Sequence, residues 1–241
     1  MTKTVLIIQA RNNSTRLRFK TTKQFDGKTM LEYLIERVKN CKELDDIMVC
    51  TTINDIDDSI CNICKKLEIK YFRGDEDNVL SRYYESAIKT DASIIVRLTG
   101  DCILIDPKII DNMIIEFKKH SCDFMDAFYH GKGKGCGAGF PDGLNPEIFT
   151  FDALYKAQIN SISKEEKEHV SGYIIKNLKC SKYNIPINEH AYNNINFKTL
   201  HLSLDTADDF KLIVKILTKL YKKNSSFTVY DILDYVNNIS Y

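Results

Sequence analysis

Absences narrow this sequence before any motif does. Its 34 lysines and arginines against 33 aspartates and glutamates leave a formal charge of only +1, so no global field gathers nucleic acid or an anionic membrane surface. No run of about 18 apolar residues exists to span a bilayer. The first apolar stretch, residues 5–8, is too short for a signal peptide and is not followed by a small-residue cleavage site. A cytoplasmic location is the expectation. The eight cysteines, at 41, 50, 61, 64, 102, 122, 136 and 180, lack the pattern of a zinc site. Only Cys61 and Cys64 have ligand spacing, with no second pair or histidine at finger distance, so reduced thiols are expected. There is no internal repeat and no dividing linker, and 241 residues suit one α/β domain, expected over 1–241.

What is present is an alternation. Residues 4–9, 46–52, 69–74 and 92–101 are β-branched, apolar runs of strand length. Between them, 28–40, 57–67 and 78–90 carry apolar residues at helical spacing. Strands that are apolar throughout, alternating with helices, predict an α/β fold with a parallel sheet covered on both faces. Further helices are expected at 111–120, over much of 149–179, at 208–222 and from Val229, with Thr228 as N-cap. A late strand is expected at 200–204. The stretch "HGKGKGCGAGFPDG" carries glycines at 131, 133, 135, 137, 139 and 143. It lacks the Gly-Lys-Ser/Thr ending of a Walker A loop and the strand-to-helix setting of a dinucleotide fingerprint, so it reads as a flexible flap or a merely permissive loop.

In a parallel sheet the ligand lies beyond the carboxyl ends of the strands. That rule gathers "ARNNSTRLRFK" after the first strand, Thr51, Thr52 and Asn54 after the second, and Thr99, Gly100 and Asp101 after the central one. Arg11, Arg16 and Lys20 with the hydroxyls of Ser14 and Thr15 are what a polyphosphate needs, namely guanidinium forks, a point charge and small donors. The same loop could be a solvated turn with incidental charge. Transfer chemistry on a triphosphate also calls for a divalent metal, and magnesium takes one or two carboxylates beside substrate oxygens. Asp101 and Asp205, each at an expected strand end, have that context. Each also has a plainer reading, Asp101 as a turn residue and Asp205 as a helix N-cap.

The residues then carry a family resemblance across nearly the whole chain. "ARNNSTRLRFK" is similar to an A-R-x-x-S-T-R-L-P-x-K opening, and "MLEYLIERV", "TTINDIDDSI", "RGDEDNVLSRYY", "VRLTGDCILIDP", "FPDGLNPEIF", "EKEHVSGYI" and "LSLDTADDF" follow in order. Together they resemble the SpsF-type cytidylyltransferases of spore-coat polysaccharide biosynthesis, related to the CMP-Kdo and CMP-acylneuraminate synthetases. The resemblance implies a Rossmann-like, GT-A-like nucleotidyltransferase, a three-layer sandwich that uses CTP and Mg2+ and transfers CMP to an acceptor. It implies Arg11, Arg16, Lys20 and Asp101 as catalytic and Asp101 and Asp205 as metal ligands. Ala10, Ser14, Thr15, Thr52, Asp77, Asn78, Arg82, Thr99 and Gly100 join the nucleotide site, and Asp142, Glu147, Glu168 and His169 the acceptor site. It also implies a homodimer, formed through an acceptor and dimerisation excursion at about 121–200 in which Ile174, Ile175 and Leu178 are apolar.

Several positions depart from the family pattern. Arg18 and Phe19 replace a Pro-Gly pair, which changes the turn and its backbone freedom, and Arg18 is left facing either the acceptor or solvent. Asn13 stands where Gly is common, Ile103 replaces a Pro, and Gly172 replaces another. None removes an expected charged ligand. His169 also has a plain reading as a polar residue at a helix end, and His120, His130, His190 and His201 have no motif support. A GT-A glycosyltransferase would be favoured by an Asp-x-Asp metal motif, whereas "GDCI" offers one Asp. A non-catalytic nucleotide-binding protein is disfavoured by retention of both metal carboxylates.

Overall fold

The computed structural model describes residues 2–127, 141–183, 185, 195 and 200–239. Strand Thr4–Gln9 (β1) lies inside the sheet, and its side chains explain its uniformly apolar sequence. Val5 and Ile7 enter one helical layer, Leu6 and Ile8 the other, and all four are fully buried. A small hairpin of Gln24–Phe25 (β2) and Lys28–Thr29 (β3) precedes helix Met30–Val38 (α1). The helix expected from Lys28 thus starts later, because Thr29 caps it. The Thr29 hydroxyl accepts from Glu32 N at 3.2 Å and Glu32 Oε2 accepts from Thr29 N at 2.5 Å, a capping box of about 1 kcal/mol.

Asp46–Thr52 (β4), Asp58–Lys66 (α2), Lys70–Gly74 (β5), Val79–Lys89 (α3) and Ile94–Thr99 (β6) continue the expected alternation. Cys61 and Cys64 lie on the buried face of α2. Helix Pro107–Lys119 (α4) begins before the expected Asp111, since Pro107 suits a first turn and Asp106 accepts from Lys108 N at 2.9 Å. Phe124–Asp126 (β7) and Glu147–Thr150 (β8) are strands. Phe151–Asn160 (α5), Lys164–His169 (α6) and Gly172–Asn177 (α7) follow, then strand Cys180–Lys182 (β9). Ala207–Ile216 (α8) gives way to a π-helical turn at Leu217–Tyr221, and Val229–Asn238 (α9) is capped by Thr228 as expected.

The seven strands are ordered β5-β4-β1-β6-β8-β7-β9. β5, β4, β1 and β6 are parallel, β8 is antiparallel to β6 and β7, and β9 joins β7 in parallel. The sheet is therefore mixed and mostly parallel. Helices α1, α2, α4, α8 and α9 pack on the Leu6/Ile8 side, and α3, α5 and α7 on the Val5/Ile7 side. Among the described residues no helix is long and apolar enough to cross a membrane. Residues 130–140, and with them most of the expected glycine flap, lie outside the described residues, and the segment 121–200 is described only in part.

The expected strand at 200–204 is corrected by its hydrogen bonds. Asp142 and His201 form one isolated bridge. Leu202 N and Leu204 N donate to Asp142 O and Asp101 O, at 2.9 and 3.0 Å, so the segment is a strut between two loops. Its leucines alternate because Leu202 and Leu204 plug the core beneath those loops.

Arg37 on α1 is fully buried, and its guanidinium donates to the carbonyls of Ile105, Leu104, Ser225 and Phe227 at 2.8–3.3 Å while stacking 3.6 Å from the Phe227 ring centroid. Burial pulls its pKa down to about 10 against the opposing field of Asp106. The carbonyls satisfy the charged form, so one side chain fastens the turn after Asp101 to the approach of α9.

Candidate active site

The sheet reverses direction of construction at β1, which has β4 on one side and β6 on the other. A cleft of about 280 Å³ opens beyond the carboxyl ends of β1 and β6, at Gln9, Ala10, Thr99 and Gly100. The backbones close tightly there. Gly100 N donates to Gln9 O at 2.8 Å, and a Cβ on Gly100 would stand 2.7 Å from Thr21 Cγ2.

The cationic loop after β1 is anchored by a residue with no charge. Asn12 is fully buried; its N–H donates to Asp57 Oδ1 at 2.7 Å, and its amide donates to Ile56 O and Ser59 Oγ. Its side-chain oxygen accepts from Thr22 Oγ1, and its carbonyl from Phe19 N. Thr21 Oγ1 donates to Arg11 O at 3.0 Å. With both ends pinned, Arg11, Ser14, Thr15, Arg16 and Lys20 surround the cleft. Phe19 completes the turn at φ 58°, a left-handed conformation that favours glycine. Arg18 is exposed, rests 5.7 Å from the Phe19 ring centroid and does not line the cleft.

Lys20 and Asp101 line the cleft, whereas Asp205 is buried and does not line it but touches two residues that do. Lys20 Nζ lies 2.6 Å from Asp101 Oδ2 and 2.9 Å from Asp205 Oδ1, and Arg16 Nη2 is also 2.9 Å from Asp205 Oδ1. Thr99 Oγ1 donates to the other oxygen of Asp101. Burial pushes the Asp205 carboxyl up, but Lys20, Arg16 and His201 outweigh it and hold it below the ordinary range. Burial likewise pushes Lys20 down, and the two aspartates outweigh it and raise the ammonium. Cys102 is pushed up to about 12 by burial, so it stays a thiol at neutral pH and is no nucleophile.

Ala10, Arg82, Thr99, Gly100 and Glu168 also line this cleft. Arg82 is buried, and its Nη1 donates to Glu76 O at 2.9 Å and to Asp75 O, while its Nε has no hydrogen-bond partner among the described residues. Thr52, Asp77 and Asn78 do not line the cleft. Thr52 is buried with its hydroxyl on Asp57 Oδ2, Asp77 is an exposed turn residue whose N–H donates to Asp75, and Asn78 caps α3 by accepting from Ser81 N. Glu147 and His169 line a second hollow of about 280 Å³ with Arg97, Glu165, Glu166, Ser171 and Lys176. Gln9 joins the two spaces: it lines the first and accepts from Arg97 Nη2, whose Nη1 donates to Glu147 at 2.7 Å. Asp142 pairs instead with His201. Asp205 is not a helix N-cap, because Thr206 caps α8.

Two residues at the site were not among the expected site residues, Glu76 although it lies within the "RGDEDNVLSRYY" motif. Glu76 collects Arg11, Asn13 and Asn54 at 3.5, 3.3 and 2.6 Å, and His201 stands between Asp142 and Asp205. The strut at 200–204, which carries His201 and leads into Asp205, has the alternation of a strand. Among the described residues no three histidine, cysteine or carboxylate side chains form a metal cage. Two carboxylates already sharing one cation do have the donor chemistry of magnesium, which fills its remaining positions with water and phosphate oxygens.

Cations facing paired carboxylates at the switch point of an α/β sheet suit a nucleotide-phosphate ligand. A family model described as Cytidylyltransferase matches residues 5–134, and the chain belongs to that family of nucleotidyltransferases. An uncharacterized protein of Methanocaldococcus jannaschii is 36% identical over 89% of this chain and 83% of its own length. The spore coat polysaccharide biosynthesis protein SpsF of Bacillus subtilis is 27% identical over 89% and 86%. Among solved structures, a cytidylyltransferase from Leptospira borgpetersenii superposes with a TM-score of 0.86 at 29% identity, covering 98% of this chain and 94% of that one.

Proposed function

We propose that the enzyme transfers CMP from CTP to a small anionic acceptor, a sugar acid or a phosphorylated sugar or polyol, and releases pyrophosphate. The observation that carries the reading is the sharing of the Lys20 ammonium by Asp101 and Asp205 beside Arg16. A triphosphate entering the cleft offers Lys20, Arg16 and Arg11 better partners than side-chain carboxylates, and the two aspartates are then free to hold Mg2+. When bound, the metal neutralises charge on the transferring phosphoryl group and the leaving pyrophosphate. Arg11, Arg16 and Lys20 hold the phosphates in line with the acceptor oxygen, which bonds to the α-phosphorus as the bond to the β-phosphate oxygen breaks.

Glu168 faces this cleft while Glu147 and His169 face the second hollow. We therefore assign the acceptor to the side of α6; Asp142, which lines neither space and pairs with His201, has no support there. The acceptor's place in cell-surface polysaccharide synthesis is supported by the name of the Bacillus subtilis relative. Ile174, Ile175 and Leu178, the apolar residues expected at a dimer contact, instead pack into this chain's own core. The exposed Tyr155, Ile159 and Ile162 on and after α5 are what support a homodimer through the region after Phe149, and the whole chain is read as one catalytic unit. The test is pyrophosphate release from CTP with a panel of sugar acids and sugar phosphates, with and without Mg2+. Release above the no-acceptor rate for one panel member supports the reading, and no release with any removes it.

A further inference from the structure

His201 carries no part of the family pattern, yet it sits against the carboxylate on which the proposed chemistry depends. Its Nε2 lies 3.3 Å from Asp205 Oδ2 and 3.9 Å from Asp209 Oδ2, and its Nδ1 lies 3.2 Å from Asp142 Oδ2. Asp205 is thereby divided between two sets of partners. Oδ1 takes Lys20 and Arg16, the cations a triphosphate would draw away, whereas Oδ2 faces the ring. The backbone that carries the ring is held in place. His201 bridges Asp142, and the flanking Leu202 N and Leu204 N are held by Asp142 O and Asp101 O. Gly143, at φ 91°, lets the Asp142 loop lie directly on the Leu202–Ser203 peptide, where any Cβ would collide with backbone.

We propose that His201 is a positioning residue for Asp205. It holds one oxygen so that the other is presented alone, as a single-oxygen ligand, once the cations have moved to the nucleotide. The inference rests on the reading of Asp205 as a metal ligand. A carboxylate on a free rotor presents either oxygen or both, and fixing it through an outer partner tunes metal affinity; loss of such a partner costs about 10–100-fold. Asp209 serves the start of α8 instead, its Oδ2 accepting from the N–H groups of Asp205 and Thr206 and from the Thr206 hydroxyl.

The test uses Mn2+ as the probe, its binding to the full chain with CTP followed by electron paramagnetic resonance. His201→Ala is expected to weaken Mn2+ binding about 10-fold or more, with metal-free CTP affinity and melting temperature unchanged. His201→Gln, which keeps a donor, is expected to recover part of the loss. Unchanged Mn2+ affinity in His201→Ala, while Asp205→Asn loses it, would overturn the positioning role and leave the metal assignment standing. Unchanged affinity in Asp205→Asn would remove the metal assignment itself and the inference with it. A melting temperature that falls in step with Mn2+ affinity, and is not separated by His201→Gln, would reduce His201 to a structural residue and also overturn the proposal.

Discussion

Lys20 and Asp101, from loops after different strands, meet at 2.6 Å, and the contact depends on parallel register. β1 and β6 pair from Thr4–Ile94 to Gln9–Thr99, so both strands end at the same level and their loops open onto one cleft. Replacing Asp101 or Asp205 by Asn keeps shape and removes the charge that would replace Lys20's with a metal's. Each variant is expected to lower Mg2+-dependent CMP transfer about 100-fold or more with an unchanged circular dichroism spectrum. Wild-type turnover at saturating Mg2+ in either would remove that residue from the mechanism.

Lys20 has a second consequence. Lys20→Met leaves two carboxylates without their shared cation and the pyrophosphate without its point charge, so kcat is expected to fall about 100-fold and the KM for CTP only a few-fold. Steady-state kinetics separate these; a change confined to KM would make the loop a binding element only.

The same ion pairs give stability a pH signature. Asp205's folded pKa lies below its unfolded value, so its contribution is present above the ordinary carboxylate range of about 4 and is lost as pH falls through the folded value. Lys20's raised pKa keeps its contribution intact below about 10.4, and that contribution is lost only as pH rises through the folded value. Urea denaturation of Asp205→Asn at several acid pH values is expected to show a shallower loss of stability than the wild type. Parallel curves would mean the pairs add nothing to the fold.

Phe19 occupies a left-handed backbone position, φ 58°. Such a conformation costs a residue with a Cβ roughly 1–2 kcal/mol, partly offset by the lower unfolded-state entropy of Phe relative to Gly. Phe19→Gly is expected to raise stability by up to about 1 kcal/mol. Phe19→Pro is expected to lower it, since it forbids that φ and removes the N–H that Asn12 O accepts. Thermal melts of both variants check the pair, and a destabilised Phe19→Gly would contradict the strain.

Arg37→Met strips four carbonyls of their donor inside the core. A loss of about 3–5 kcal/mol is expected in urea denaturation; a loss below about 1 kcal/mol would mean that the carbonyls find other partners.

The inner parallel strands β1, β4 and β6 were legible because burial on both faces leaves a largely apolar run; β5, an edge strand without a buried residue, was legible from its place in the alternation. β7, β8 and β9 were not, since three- and four-residue strands such as "FMD" and "CSK" have no room for a period. The residues at 200–204 misled for the opposite reason, alternating like a strand while their amides answer to Asp101 and Asp142. At the site, charged residues that follow a strand end announced themselves. Asn12 and Glu76 did not, because their partners lie far away in the sequence, and His201 did not, because its i,i+4 contact with Asp205 forms in an irregular strut that has no periodic signature. Phe19 was visible only as a departure from glycine, and its φ supplies the physical reason that glycine suits the position.

Arg37 also decides how the chain can be divided. The stretch matched by the family, 5–134, holds the loop of cations and Asp101, but not Asp205, nor the Ser225 and Phe227 carbonyls that the Arg37 guanidinium grips together with Leu104 and Ile105. A chimera that joined this front half to the back half of a relative would have to match shapes at that one buried fork. The front and back halves of the chain are therefore joined through the core and are not expected to exchange freely.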